Sequence, residues 1–74
     1  MVKELLQTAI SETTFLHSGE VFLLKDLFKG YEWNRIPFKD RLLLGTLFLN
    51  SVRELPSIVI LQKTSSNQQK YRKV

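Results

Sequence analysis

The chain has 74 residues, a formal net charge of +4, no cysteine and a hydrophobic content of 43%. This length and composition predict one globular domain, residues 1–74, and they exclude a disordered chain, a disulfide framework and a thiolate metal site. No apolar run approaches the ~20 residues of a membrane span and the N-terminus lacks a signal-peptide pattern, so we expect a soluble, cytoplasmic protein with no membrane contact.

The first part of the chain predicts the order helix, strand, helix. Apolar side chains recur over residues 2–13 with the spacing of one helical face, which predicts an amphipathic helix. A turn is predicted at residues 18–19 and a short strand over residues 20–23. The segment 24–29 is predicted to be a brief second helix, which Gly30 would close at the C′ position.

The longest periodic segment, residues 37–55, predicts a third helix. We expect it to follow a loop from Tyr31 to Ile36, to begin at Pro37 and to stop before Pro56. Its expected core face holds apolar positions spaced by three and four residues: Phe38, Leu42, Gly45, Phe48 or Leu49, Val52 and Leu55. A mid-helix glycine costs about 1 kcal/mol relative to alanine, so Gly45 predicts the close approach of another element.

The C-terminal quarter predicts a β-hairpin. Residues 58–61 are apolar and three of the four are β-branched, residues 64–67 are a turn cluster, and residues 69–74 form a polar returning strand. Three helices with a short strand and a C-terminal hairpin give the element order of a winged helix-turn-helix, an α+β fold in which the hairpin is the wing. The short strand would join the hairpin, because an isolated two-strand hairpin is marginally stable. The alternative is a helical pair packed on a three-stranded meander.

Few residues are candidates for catalysis. His17 is the only histidine, so no second histidine or cysteine completes a metal site or a nucleophilic pair. The three glycines are isolated from one another, which leaves no phosphate-cradling loop. We therefore expect a protein that is not an enzyme and that needs neither a metal nor another cofactor.

The positive charge is concentrated at one end of the chain. Residues 1–55 carry seven basic and seven acidic side chains, whereas residues 56–74 carry four basic side chains and no acidic one. An acid-free hairpin on a neutral body predicts an anionic partner, since cations pair with phosphates and an aromatic ring can stack on an unpaired base. The predicted nucleic-acid contacts are Lys63, Lys70, Tyr71, Arg72 and Lys73 on the hairpin, extended by Arg35, Lys39 and Arg53 on or near the long helix.

The residues alone leave alternatives open. The hairpin also fits a soluble edge strand protected by cations, with Tyr71 packed inward. The long helix begins with Lys39, Asp40 and Arg41 and then turns to leucine, a poor match to a helix that reads a DNA major groove. A duplex-binding transcriptional regulator nevertheless stays an alternative. An exposed Leu43 or Leu47 would instead favour a protein-interaction module that docks on a replication protein.

Four stretches of the sequence together resemble one family. They are residues 21–28, Trp33, residues 41–48 around Leu44-Gly45, and residues 65–73. The combination is similar to small single-domain proteins of Gram-positive mobile elements, including staphylococcal cassette chromosome elements, catalogued as a domain of unknown function. The resemblance covers roughly residues 19–74 and implies a winged helix that binds single-stranded DNA and is encoded beside replication genes such as a helicase. We therefore expect largely sequence-independent binding, several copies along a strand, and a helicase or other replication protein as a partner.

Overall fold

Three α-helices and one three-stranded antiparallel sheet make up the computed structural model, which describes all 74 residues. The helices are α1 (Val2–Glu12), α2 (Gly30–Arg35) and α3 (Phe38–Val52), and the strands are β1 (Val21–Leu23), β2 (Ile58–Lys63) and β3 (Gln69–Lys73). Two 3₁₀ turns, Thr13–Phe15 and Leu24–Leu27, follow α1 and β1. The α+β class expected from the sequence is confirmed.

The last strand of the chain lies in the centre of the sheet. The strand order is β1-β3-β2, and both ladders are antiparallel. Tyr71 of β3 lies opposite Phe22 of β1 on one side and Ile60 of β2 on the other. The prediction that the short strand joins the hairpin is therefore confirmed. The register shifts between Ile60 and Lys63, where β2 has one residue more than the facing part of β3.

An aromatic cluster joins the sheet to α3. Tyr71 is 2% exposed and its ring stacks on Phe22 with a centroid distance of 5.6 Å. Phe48 of α3 meets the same ring edge-on at 5.1 Å. Such aromatic pairs contribute about 0.5–1.5 kcal/mol each beyond the burial of their area. Ala9 is fully buried in the same core, so α1 packs closely on this cluster.

The buried face of α3 differs from the predicted one. Leu44, Phe48 and Val52, each four residues apart, are almost completely buried. Phe38 is 70% exposed and Leu42 is 59% exposed, so the prediction that these two residues belong to the core is wrong. Helical periodicity alone could not distinguish the two ridges, because both are apolar and both repeat at intervals of three or four residues.

The segment from Tyr31 to Ile36, predicted to be a loop, is mostly helical. Gly30 begins α2 rather than ending a helix, and the Trp33 amide donates a hydrogen bond to the Lys29 carbonyl at 2.9 Å. The Lys29 amide in turn donates to a Glu32 carboxylate oxygen at 3.2 Å. A carboxylate at the third position of a helix stabilises the free amides of its first turn. Lysine is an unusual N-cap residue, so Lys29 gives no sequence signal for the start of α2.

Burial of Tyr71 predicts a loss of stability at alkaline pH. Burial raises the pKa of Tyr71 from 10.0 to about 12, so between these values the folded state keeps a proton that the unfolded chain has lost. The free energy of unfolding should be unaffected by this group below pH 10 and should fall by roughly 2 kcal/mol as the pH approaches 12. Urea unfolding of the parent and of Tyr71→Phe at pH 8 and pH 11.5 measures this difference.

The phenylalanine variant cannot ionise at this position, so its loss of stability between the two pH values should be smaller than that of the parent. Tyr31→Phe is the matched control, because Tyr31 is 48% exposed and lies outside the core cluster. An equal loss in Tyr71→Phe and in the parent would show that the buried phenol does not cause the alkaline effect.

Candidate functional site

The side chains of β3 divide into two sets by strand alternation. Tyr71 faces the core, so Lys70 and Arg72 project from the opposite face of the sheet. Their partners on β1 are the apolar residues Leu23 and Val21, and no acid faces them there. The only salt bridge in the structure joins the N-terminal amine to Glu4, so neither cation is in an ion pair. Lys70 and Arg72 thus give the outer face of the sheet an unneutralised positive charge.

Two predicted hairpin contacts lie on the inner side instead. The ammonium group of Lys73 donates a hydrogen bond to the Thr13 carbonyl at 2.9 Å, which fixes β3 to the end of α1. Tyr71 lies between Phe22 and Phe48 and has no exposed ring face for a base. The prediction of Tyr71 as a stacking residue is therefore wrong, because the core takes the whole ring.

The predicted cations near the long helix form two groups. Lys39 is exposed on α3, and Arg53 is exposed just beyond the end of that helix. Both share one helical face with the exposed Asn50. Arg35 lies on α2 instead, with its guanidinium carbon 4.9 Å from the centre of the Tyr31 ring. The structure therefore brings Lys39 and Arg53 to one helical face and places Arg35 on a different helix.

A groove separates α3 from the tip of the hairpin. Its volume is about 560 Å³, within the range of about 300–1,000 Å³ typical of ligand sites. The α3 wall includes the second apolar ridge, Phe38, Leu42, Gly45 and Leu49, and the hairpin wall includes Lys63 and Ser66 to Gln69. Other lining residues are Leu23, Leu24, Thr46 and the edge of the buried Tyr71. Lys25, Arg41 and Lys63 are the charged residues that line the groove, and no acidic residue does so.

Arg41 organises one end of this groove. Its Nε donates to the Ile36 carbonyl at 2.9 Å and its Nη2 donates to the Asn34 carbonyl at 3.2 Å, so the side chain fixes the turn between α2 and α3. The guanidinium carbon lies 5.6 Å from the centre of the Trp33 ring, a distance at which cation–π attraction operates. Trp33 also contacts Phe28, with ring centres 5.8 Å apart. These contacts hold a half-buried indole at the edge of the groove.

The hairpin tip is held by hydrogen bonds of its own. The Asn67 amide donates to the Thr64 carbonyl at 2.9 Å, and the Gln68 amide donates to the Thr64 hydroxyl at 3.1 Å. Asn67 has a φ of +67°, a left-handed conformation that asparagine tolerates better than most residues. The turn therefore presents the side chains of Asn67 and Gln68 to the groove from an ordered backbone.

Gly45 leaves open space in the α3 wall. A Cβ atom built at this position would meet no heavy atom within 4 Å, apart from those of its own helix and its chain neighbours. The prediction that Gly45 marks the close approach of another element is therefore wrong. The glycine widens the groove between Leu42 and Leu49 instead.

Sequence reasoning missed most of the groove. Lys25 and Arg41 carry no sequence signal for a site, because their residue types and spacing are those of ordinary surface residues. The Phe38–Leu42–Gly45–Leu49 ridge is detectable in the sequence, but helical periodicity assigns it to the core. A signal was present in the N-terminal half of α3, which has more large apolar residues than one buried face can hold.

The structure offers little for metal binding. No three His, Asp or Glu side chains come close enough together to hold an ion. The single histidine, His17, is exposed, and its backbone amide donates to a Glu20 carboxylate oxygen at 2.6 Å. None of the helices has the length and apolar character needed to cross a membrane.

The fold and the groove define a small α+β domain with a basic, acid-free hairpin. This chain belongs to the family described as Domain of unknown function (DUF1413), whose model matches residues 7–73. No curated protein matches the sequence. A solved structure described as "SCCmec type IV LP1413 - nucleic acids binding protein" is similar, with a TM-score of 0.75 and 21% sequence identity over 99% of this chain and 86% of that chain. At this identity the likeness establishes a shared fold.

Gly45→Ala is expected to raise the free energy of unfolding by about 1 kcal/mol, because alanine favours a helix more than glycine does and the added methyl group meets open space. Gly19→Ala is the matched contrast. Gly19 has a φ of +91°, so the same substitution should lower stability by about 1 kcal/mol or more. Urea unfolding of both variants measures the two effects. If Gly45→Ala is less stable than the parent, the α3 wall of the groove is not open at this position.

Proposed function

We propose that this protein is a winged-helix protein that binds single-stranded DNA with little sequence preference. The observation that carries the proposal is the acid-free hairpin, whose cations have no ion-pair partners and whose tip lines a groove with an apolar wall. Cations that lack a protein partner are available to phosphates, and apolar walls suit the faces of bases. The similar solved structure, described as a nucleic-acid-binding protein, supports the same function.

The exposed side chains of α3 favour a single strand over a duplex. A helix that reads a major groove presents polar side chains to base edges near its N-terminus. Here that part of α3 presents the exposed Phe38 and Leu42 with one exposed cation, Lys39. The Arg41 guanidinium is already bonded to two backbone carbonyls. Apolar side chains gain little from paired bases but can contact the faces of unpaired ones.

The winged-helix assignment is supported by the order of the elements. Helices α2 and α3 are separated by only Ile36 and Pro37, as in a helix-turn-helix. The hairpin of β2 and β3 follows α3 directly, and β1 completes the sheet beside β3. In this assignment α2 replaces the segment 24–29 as the first helix of the helix-turn-helix.

We propose a binding role rather than an enzymatic one, in replication of a mobile genetic element. The SCCmec origin of the similar structure supports the association with a mobile element. A replication protein such as a helicase is the proposed protein partner, and several copies would occupy one strand.

One observation favours a second function, protein docking. Leu43 is 49% exposed on α3 and does not line the groove. A protein-interaction module would need this residue and would not need a nucleic acid. Under this second function, Leu43→Glu should abolish binding to a replication protein, and the parent should retain no oligonucleotide at ~0.15 M salt.

Lys70→Gln combined with Arg72→Gln is expected to weaken binding to a single-stranded oligonucleotide and to flatten its salt dependence. Each phosphate contact contributes about −0.7 to the slope of log affinity against log salt on single strands, so loss of two contacts should reduce the slope by about 1.4. Fluorescence anisotropy with labelled single-stranded DNA, duplex and RNA of matched length between ~0.05 and ~0.3 M salt measures both quantities.

Lys3→Glu is the control for net charge, since it changes the charge by the same two units on α1, away from the hairpin. It should leave the salt slope close to that of the parent. The proposal fails if the double variant binds like the parent, or if the parent prefers duplex to single-stranded DNA.

A further inference from the structure

We propose that the groove between α3 and the hairpin tip holds an unpaired nucleobase, and that Gly45 provides the space for it. This inference rests on the proposed function, because it names which part of a single strand the groove accepts. It assigns recognition of the base to the groove and recognition of further phosphates to the outer face of the sheet.

The shape and chemistry of the α3 wall fit a flat ring. Phe38 and Leu42 form a largely exposed apolar surface beside the core positions of the same helix. Trp33 lines the same groove and is held by Arg41 and Phe28. An aromatic ring fixed by its neighbours loses little conformational freedom when a base stacks on it.

The opposite wall supplies neutral hydrogen-bonding groups. Asn67 and Gln68 each carry an amide that can both donate and accept, and their backbone is ordered by the bonds to Thr64. Each base presents donors and acceptors along its edge, so amides that serve as either would bind all four bases with modest preference. This wall therefore fits binding with little sequence preference.

The charges of the groove fit the phosphates next to a bound base. Lys63 lies on the hairpin side and Lys25 lies in the 3₁₀ turn after β1, whereas the Arg41 guanidinium keeps its two bonds to backbone carbonyls and adds positive charge from there. A second concavity adjoins the first and shares Lys25, Trp33, Arg41 and Gln68 with it. Asp26 lines the second concavity, where its carboxylate accepts a hydrogen bond from the Leu23 amide at 2.9 Å, so the acid-free first concavity is the better fit for phosphates.

Gly45 is the residue that folding alone does not explain. Alanine would favour the helix, and a Cβ would meet no neighbour, so glycine lowers stability at this position without relieving a clash. Its backbone lies between Leu42 and Leu49 in the α3 wall. Glycine is the residue that lets a ligand approach the backbone closely, and a base is the ligand whose chemistry matches the surrounding residues.

The test compares an oligothymidylate with an abasic oligonucleotide of the same length, which keeps the phosphates and lacks the bases. A stacked base contributes about 5- to 150-fold in affinity, so the parent should bind the oligothymidylate at least about fivefold more tightly. Gly45→Phe fills the groove and should reduce this ratio to about one, while the salt slope on the abasic strand stays unchanged. Trp33 is the only tryptophan, so its fluorescence should change with oligothymidylate and not with the abasic strand.

Leu43→Phe is the matched control, because it adds the same ring to α3 at a position that does not line the groove. It should keep the parent's ratio. The groove inference is overturned, with the proposed function intact, if the parent binds both oligonucleotides equally or if a folded Gly45→Phe keeps the parent's ratio. Failure of the parent to bind either oligonucleotide overturns the proposed function itself.

Discussion

The packing of Tyr71 against Phe22 and Phe48 is the contact on which the rest of the structure depends. It joins the central strand to its neighbour and to α3 in one cluster. Because side chains alternate along a strand, the same contact forces Lys70 and Arg72 to the outer face of the sheet. Core packing thus determines where the positive charge of the hairpin lies, and a shift of one residue in register would bury those cations.

The apolar residues of α3 serve two surfaces. One ridge, through Leu44, Phe48 and Val52, meets α1 and the sheet, and the adjacent ridge faces the groove. Exposed apolar surface adds nothing to the core, and a contiguous exposed apolar ridge of this kind is typical of contact surfaces. The protein therefore uses a single helix both as the centre of its core and as the wall of its candidate site.

The sequence predicted the fold better than the site. Periodicity and turn residues identified α1, α3 and the hairpin, because each depends on contacts that are local or nearly local. Sequence prediction failed at α2, where Glu32 stabilises the helix start although no usual capping residue precedes it. It also failed at Gly45, where no other element approaches the helix. The groove could not be predicted, since Lys25 and Gln68 are over 40 positions apart in the chain and meet only after the sheet has formed. Charge counting located the cations on the hairpin, but only burial showed that Tyr71 and Lys73 face inward.

The central position of β3 also determines when the domain can fold during its synthesis. Phe22 pairs with Tyr71, about 50 positions later, and β2 has no other strand to pair with. While the ribosome still encloses the last strand, β1 and β2 lack their hydrogen-bonding partner and the core lacks its largest side chain. The nascent chain therefore holds an incomplete core until β3 has left the ribosome, and the paired hairpin and the groove form only from that point on.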